Sequence, residues 1–423
     1  MNRVIVVGGG LAGLTAAAYL ARGGTRVTVV EQARELGGRA RTSVEDGFSF
    51  NLGPHAVYLA GAGAKALDEL GIPYEGGQPG GGSFVQHDGK LHTLPEGLVS
   101  LVSTGLFGLR EKMEIASFLT SLQGVDVAPL TRIRFADWLA GQMRTTGARN
   151  LVTMLARIST YTHPAADMSA GAAVRQMQLA FQKNVRYVNG GWQTLVDALR
   201  RQVETHGGEI VSGVSVRSLA RDSAARGIVL ESGECWAADA VVLAGSPRMV
   251  ANLTGITHWA ATRLPVRAAC LDLALSQLPQ PSRKAAFGMD EPLYASVHSS
   301  VAKLAPEGAA LIHLARYGGL QGREAGQVRS QLENLLDQLQ PGWRNYVVKT
   351  RFLPDLTVSN AAVLASQDGM AGRPPVAVPG VQGLFLAGDW VGPEGMIADA
   401  SFASGRAAAK SILNQREQQS EAA

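Results

Sequence analysis

Cysteine is nearly absent: Cys235 and Cys270 are the two in 423 residues, and they form no CxxC pair. A disulfide scaffold and a cysteine-rich metal centre are excluded, and a reducing, cytoplasmic setting is the expectation. The eight histidines show no HExxH or comparable ligand spacing, so no metal site is expected. Charge is sparse at 17% of residues, and 39 basic against 35 acidic side chains leave a net of +4. That excess is too small to argue for a nucleic-acid partner. Long uninterrupted apolar runs are missing too. Val4 to Ala21 carries no charge, but Gly8, Gly9, Gly10 and Gly13 break it. A buried element explains it better than a signal peptide or a membrane span.

Glycine, by contrast, is abundant: 50 residues, 20 of them within positions 1–97. Backbone there must turn sharply or come close to a ligand. Val4-Ile5-Val6-Val7 is a β-branched run suited to a buried parallel strand. It leads into Gly8-x-Gly10-x-x-Gly13 and then into a helix-forming stretch whose first residues are Leu11 and Ala12. A second strand, Arg26 to Val30, ends at Glu31-Gln32. The order strand, glycines, helix, strand, acid is the dinucleotide-binding fingerprint. One glycine makes the turn, the next admits a pyrophosphate, and the third lets helix and strand pack. The helix N-terminus supplies N–H groups for the anion. Glu31 is placed for the ribose hydroxyls and repels a 2′-phosphate, favouring FAD or NAD over NADP. Gly37-Gly38-Arg39 follows, with Arg39 a bidentate candidate for phosphate.

At this point the chain resembles the flavin-containing amine oxidase superfamily, nearest to the carotenoid (phytoene) desaturase-like FAD-dependent oxidoreductases. The likeness continues through Gly47 to His55, including Gly53-Pro54-His55, with Asn51 where those relatives usually carry aspartate. It reappears at Gly190-Gly191-Trp192 and in the strand before Val216, and again at Gly383 to Asp389 with the helix after it. The resemblance implies non-covalent FAD. It implies backbone contact to adenine at Val216, ribityl and pyrophosphate contacts at Gly388-Asp389, and N–H groups of Met396 and Ile397 at the flavin ring. A helix N-terminus there suits the negative charge of reduced flavin.

The expected fold class is α/β: a Rossmann-like FAD-binding domain from residues 1–80, 185–250 and 376–415. An α+β substrate-binding domain, 81–184 and 251–375, is inserted in it, and 416–423 forms a frayed polar tail. Gly76-Gly77 and Gly80-Gly81-Gly82 read as a flexible link between the two. Leu98 to Leu122 has two readings, a helix pair lining the substrate domain and an apolar access surface for peripheral membrane contact. Arg132 to Arg201 holds ten basic residues and three acids. It reads either as a solvated face or as an attractor for anionic lipid or an acidic substrate.

The expected activity is removal of a hydride from a small apolar, isoprenoid-like substrate to form a double bond. Amine oxidation, protoporphyrinogen-type oxidation and redox-neutral isomerisation are the alternatives. Met396 stands where amine oxidases place an aromatic ring, which weighs against the first of these. No acid–base pair emerges from spacing, and His55 is the one side chain singled out as a proton carrier. Nothing in the sequence bears on the oligomeric state.

Overall fold

The computed structural model describes residues 3–421. A five-stranded parallel sheet lies at the centre of the nucleotide-binding half. Its strands run in the order Glu209–Ser212, Arg26–Glu31, Arg3–Val7, Ala240–Leu243 and Leu384–Leu386. Successive strand residues point to opposite faces. Val4 and Val6 therefore enter one core, with the helices Leu11–Arg22, Gln193–Thr205 and Ile397–Glu421. Ile5 and Val7 enter another, beneath the helix Pro247–Thr254 and the three-stranded meander Val216–Arg221, Ala225–Leu230, Cys235–Ala237. Burial on both faces is why these strands are continuously apolar.

The other half is built on a seven-stranded sheet. Its order is Val347–Ser359, Val266–Leu275, Ala310–Tyr317, Leu293–Val297, Ala285–Gly288, Ser83–His87, Lys90–Thr93. One face packs on the helix Ala325–Leu339 through Leu271, Leu273, Ile312 and Leu314. The opposite face, with Cys270 and Tyr294, turns inward. Beside the sheet, the helices Leu109–Ser121, Phe135–Gln142, Thr146–Thr160 and Ala170–Lys183 share a separate core.

Two sequence expectations are corrected. Gly76-Gly77 is no flexible link: it pairs with Tyr187 and Val188, and a Cβ on Gly76 would lie 1.9 Å from the Tyr187 carbonyl oxygen. The 416–423 tail is not frayed where described, because the last helix runs to Glu421. Arg416 ties it to the Thr25 hydroxyl at 3.0 Å and to the Gly23 carbonyl at 2.6 Å. Among the described residues no helix is long and apolar enough to cross a membrane. Val4 to Ala21 forms a strand, a turn and a helix instead.

Candidate functional site

Parallel strands that end together leave a crevice at their carboxyl edge. Here that crevice opens into a single cavity of about 1430 Å³ that continues into the substrate half. The glycine turn forms its first part. Gly8 has φ +114°, and a Cβ there would lie 2.4 Å from the Ala244 carbonyl oxygen. A Cβ on Gly13 would lie 1.9 Å from the Gly8 oxygen. Both glycines are thus dictated by the protein's own backbone. Gly10 is different: the nearest atom to a Cβ there is 3.9 Å away, and the position faces the cavity. The first N–H groups of a helix lack intrahelical acceptors, and Leu11 and Ala12, which carry them, also line the cavity. Open space at a helix N-terminus fits a pyrophosphate.

Glu31 is held by two backbone donors, Gly9 N–H at 2.6 Å and Ala33 N–H at 2.8 Å. With Gln32, Val216, Gly37 and Gly38 it lines the same end of the cavity. Arg39 lines the cavity too, but part of its guanidinium is engaged within the protein. Its Nη1 is bound to the Asp389 carboxylate at 2.8 Å and to the Val358 carbonyl at 2.8 Å, so it ties the first segment to the last rather than reaching freely for phosphate. Burial alone would push the Asp389 carboxyl up. Arg39 and two Asn360 donors outweigh that and hold it below the ordinary range. Gly388 and Asp389 line the cavity beside Met396 and Ile397. Ile397 opens the last helix with φ +54°, a left-handed conformation costing a β-branched residue about 1–3 kcal/mol.

Gly53 is not itself among the lining residues, and a Cβ there would lie 2.9 Å from the Cys270 sulfur. Pro54 and His55 do line the cavity. The proton-carrier reading of His55 does not survive. Its Nδ1 lies 3.0 Å from the Gly53 carbonyl and its Nε2 3.1 Å from the Arg39 carbonyl, while its ring packs edge-on against Trp192. Enclosure away from water lowers its pKa to about 4. His55 clamps the Gly53 loop to the Arg39 turn. Asn51 has an equally structural role, accepting from Trp192 N–H at 3.0 Å and Thr42 O–H at 2.6 Å.

The sequence reading missed several cavity residues. Tyr58, Tyr161, Tyr187, Tyr294 and His298 meet around one chamber with Leu101, Ile115, Leu151 and Leu155. They come from distant segments, and no spacing links them. Asp399, in the first turn of the last helix, is a second omission. Its Oδ1 accepts from Gly63 N–H at 2.8 Å, standing in for the side-chain cap that Gly61 cannot give the helix Ala62–Glu69. Its Oδ2 is buried with no partner among the described residues, and burial lifts its pKa to about 7. An acid raised on folding holds its proton more tightly in the folded state. Its stabilising contribution is therefore full below the unfolded value near 3.8 and is lost as pH climbs towards 7. Asp399→Asn, which mimics the protonated acid, should be nearly neutral at pH 3. At pH 8 it should stabilise by on the order of 2–4 kcal/mol. Urea unfolding at the two pH values checks this, and an equal effect at both refutes it.

The basic side chains of residues 132–201 do not face the cavity, nor are they all simply solvated. Arg132 pairs with Asp368, Arg134 with Asp167, and Arg200 with Glu204. Arg157 is buried and donates to the Gly288 carbonyl. None of the ten basic residues lines the cavity.

Comparison with known proteins settles the family. The profile described as Flavin containing amine oxidoreductase matches residues 11–413. The chain belongs to this family. FAD is accordingly its cofactor. Within this flavin amine oxidoreductase family the chain is 29% identical over 339 residues to a coproporphyrinogen III oxidase of Propionibacterium freudenreichii subsp. freudenreichii. That match covers 65% of the chain and 61% of the relative, so the matched part spans under two thirds of it. It is 53% identical over 51 residues to a carotenoid 3,4-desaturase of Haloarcula japonica, 12% of the chain and 10% of that protein. An oxidoreductase from Methanosarcina mazei shares the fold with a TM-score of 0.77, at 18% identity, over 97% of this chain and all of that one.

Proposed function

We propose that this flavin amine oxidoreductase removes a hydride from a largely apolar, isoprenoid-like substrate and leaves a double bond. The observation that carries the reading is the continuous cavity, which joins the glycine turn to a chamber walled by leucines, isoleucine and tyrosines. Such a wall desolvates a hydrocarbon. FAD, when bound, supplies the two-electron acceptor. The turn at Gly8 to Ala12 holds its pyrophosphate, Glu31 the ribose, Val216 the adenine by backbone, and Gly388-Asp389 the ribityl region. Backbone N–H groups at Met396 and Ile397 would hold the ring. Attachment is non-covalent: Cys270, the cavity's one cysteine among the described residues, is buried, and burial raises its thiol pKa well above the ordinary value.

Purified protein should be yellow. Anaerobic mixing with a panel of polyenes, porphyrinogens and amines should bleach the oxidised flavin band fastest with the polyenes. Preference for a porphyrinogen would favour the second reading, which the Propionibacterium relative supports. Conversion without bleaching would favour an isomerase and overturn hydride removal.

We also place the substrate's way in at the helices Leu98–Ser103 and Leu109–Ser121. Leu101 and Ile115 line the cavity, while Val99, Val102, Leu109 and Met113 are 86%, 73%, 76% and 58% exposed beside it. An exposed apolar patch at a cavity wall suits a membrane surface. The protein should co-sediment with anionic phospholipid vesicles, and a Val99→Ser/Val102→Ser variant should do so several-fold less. Equal sedimentation of both would remove this surface from the account.

A further inference from the structure

Hydride removal leaves a proton to be disposed of, and His55 is not free to take it. The inward face of the seven-stranded sheet carries another set of groups. Strand register places Arg351 beside Asp272, Asp272 beside His313, and His313 beside Ser296, one row across four strands. Asp272 and His313 are fully buried. The Asp272 Oδ1 lies 2.6 Å from His313 Nδ1, and its Oδ2 accepts from Arg351 Nε at 3.0 Å and Nη2 at 2.6 Å. The His298 ring lies edge-on to His313, with centroids 4.6 Å apart. Its Nε2 is 3.0 Å from the Tyr294 hydroxyl. Tyr187 stacks on His298 at 3.7 Å, and its hydroxyl lies 3.3 Å from those of Tyr294 and Ser296.

Proton positions follow from the partners. The Asp272 carboxylate accepts a hydrogen bond from His313 Nδ1–H, and His313 Nε2 points away from it. That atom and His298 Nδ1 are both buried, and neither has a partner among the described residues. A hydrogen on His298 Nδ1 turns its Nε2 into the acceptor of the Tyr294 O–H. Burial first, then the neighbouring His313 and His55, hold His298 well below its ordinary pKa. The groups facing it are Tyr187, Tyr294, His313 and His55, with Asp272 and Arg351 behind. It therefore rests neutral, with its Nε2 turned to the Tyr294 hydroxyl.

We propose that Tyr294 and His298, both lining the cavity, form the proton exit of the active site, with His313 and Asp272 as positioning residues. The inference rests on the hydride-removal reading above. In the step, one substrate C–H bond would give up its electron pair and hydrogen as hydride to a two-electron acceptor, the chemistry that oxidised FAD would supply when bound. The neighbouring C–H bond breaks, its electrons become the second bond of the new double bond, and its hydrogen leaves as a proton to the Tyr294 oxygen. The proton that Tyr294 already carried moves to His298 Nε2. The substrate loses two electrons and two hydrogens; the protein gains one proton and no electrons.

Two measurements test this on the full-length holoprotein and on the resting protein without substrate. In anaerobic stopped flow with the polyene that bleaches the wild type fastest, Tyr294→Phe and His298→Gln should reduce flavin about 100-fold more slowly or worse. Their substrate dissociation constants should be unchanged. A solvent isotope effect is expected in the wild type and should vanish in Tyr294→Phe. Wild-type rate and pH profile in both variants would overturn the proposal while leaving the flavin reading intact. The second readout needs no turnover. Nitrogen-15 spectra of labelled histidines should show His298 neutral and pH-independent between pH 6 and 9, with its hydrogen on Nδ1. A His298 that titrates near 6.5, or one protonated at Nε2, would overturn the relay even if no substrate bleached the wild type. That last failure would count separately, against the functional reading.

Discussion

Alanine at position 13 is expected to cost the protein both FAD and stability, whereas alanine at position 10 should cost it FAD alone. At Gly13 the new methyl would sit 1.9 Å from the Gly8 carbonyl oxygen. Backbone cannot yield there without parting the helix Leu11–Arg22 from the strand Arg3–Val7. Overpacking of that kind costs about 1–3 kcal/mol or more, and it distorts the anion-binding turn as well. At Gly10 the methyl meets nothing nearer than 3.9 Å. It would instead occupy the open space in which Gly10 faces the cavity, lowering FAD affinity by roughly 100-fold, about 2.7 kcal/mol. Apoprotein unfolding and FAD titration on both variants separate the two effects. Equal unfolding midpoints for Gly13→Ala and the parent would refute the packing argument. Unchanged FAD affinity in Gly10→Ala would refute the placing of the pyrophosphate.

Asp272→Ala should be the other severe change. The carboxylate is fully buried and joins His313 to Arg351, whose guanidinium also donates to the Asn51 carbonyl on the flavin side. Removing it strands a largely enclosed cation and an unpaired imidazole N–H, for about 3–5 kcal/mol of stability. Replacing both charges, as in Asp272→Leu/Arg351→Met, leaves no lone charge behind and should cost less than the single change. Urea unfolding of the three proteins checks the order. A double variant weaker than Asp272→Ala would mean that the Arg351 bonds to Asn51 and Ser43 matter more than the ion pair.

Most of the nucleotide half was legible in the chain itself. A strand, a glycine turn and a helix are local, and Gly8 to Glu31 carry their chemistry in one stretch of sequence. Even there, partners across the fold changed the assignments. Arg39 reads as a free phosphate ligand until Asp389, 350 positions away, is seen to hold it. His55 reads as a proton carrier until the Gly53 and Arg39 carbonyls are found at its two nitrogens. Gly76-Gly77 reads as a flexible link because glycine pairs usually are, but their partner strand lies at Tyr187 and Val188.

By itself, then, the sequence determined the family, the cofactor and the turn that receives it, because helix-start donors and close-packed glycines are set by neighbours in the chain. The chamber and its acid–base row were decided only by tertiary structure. Arg351, Asp272, His313 and Ser296 become neighbours through strand register. Register follows from how whole strands bury their apolar faces, and no local spacing encodes it.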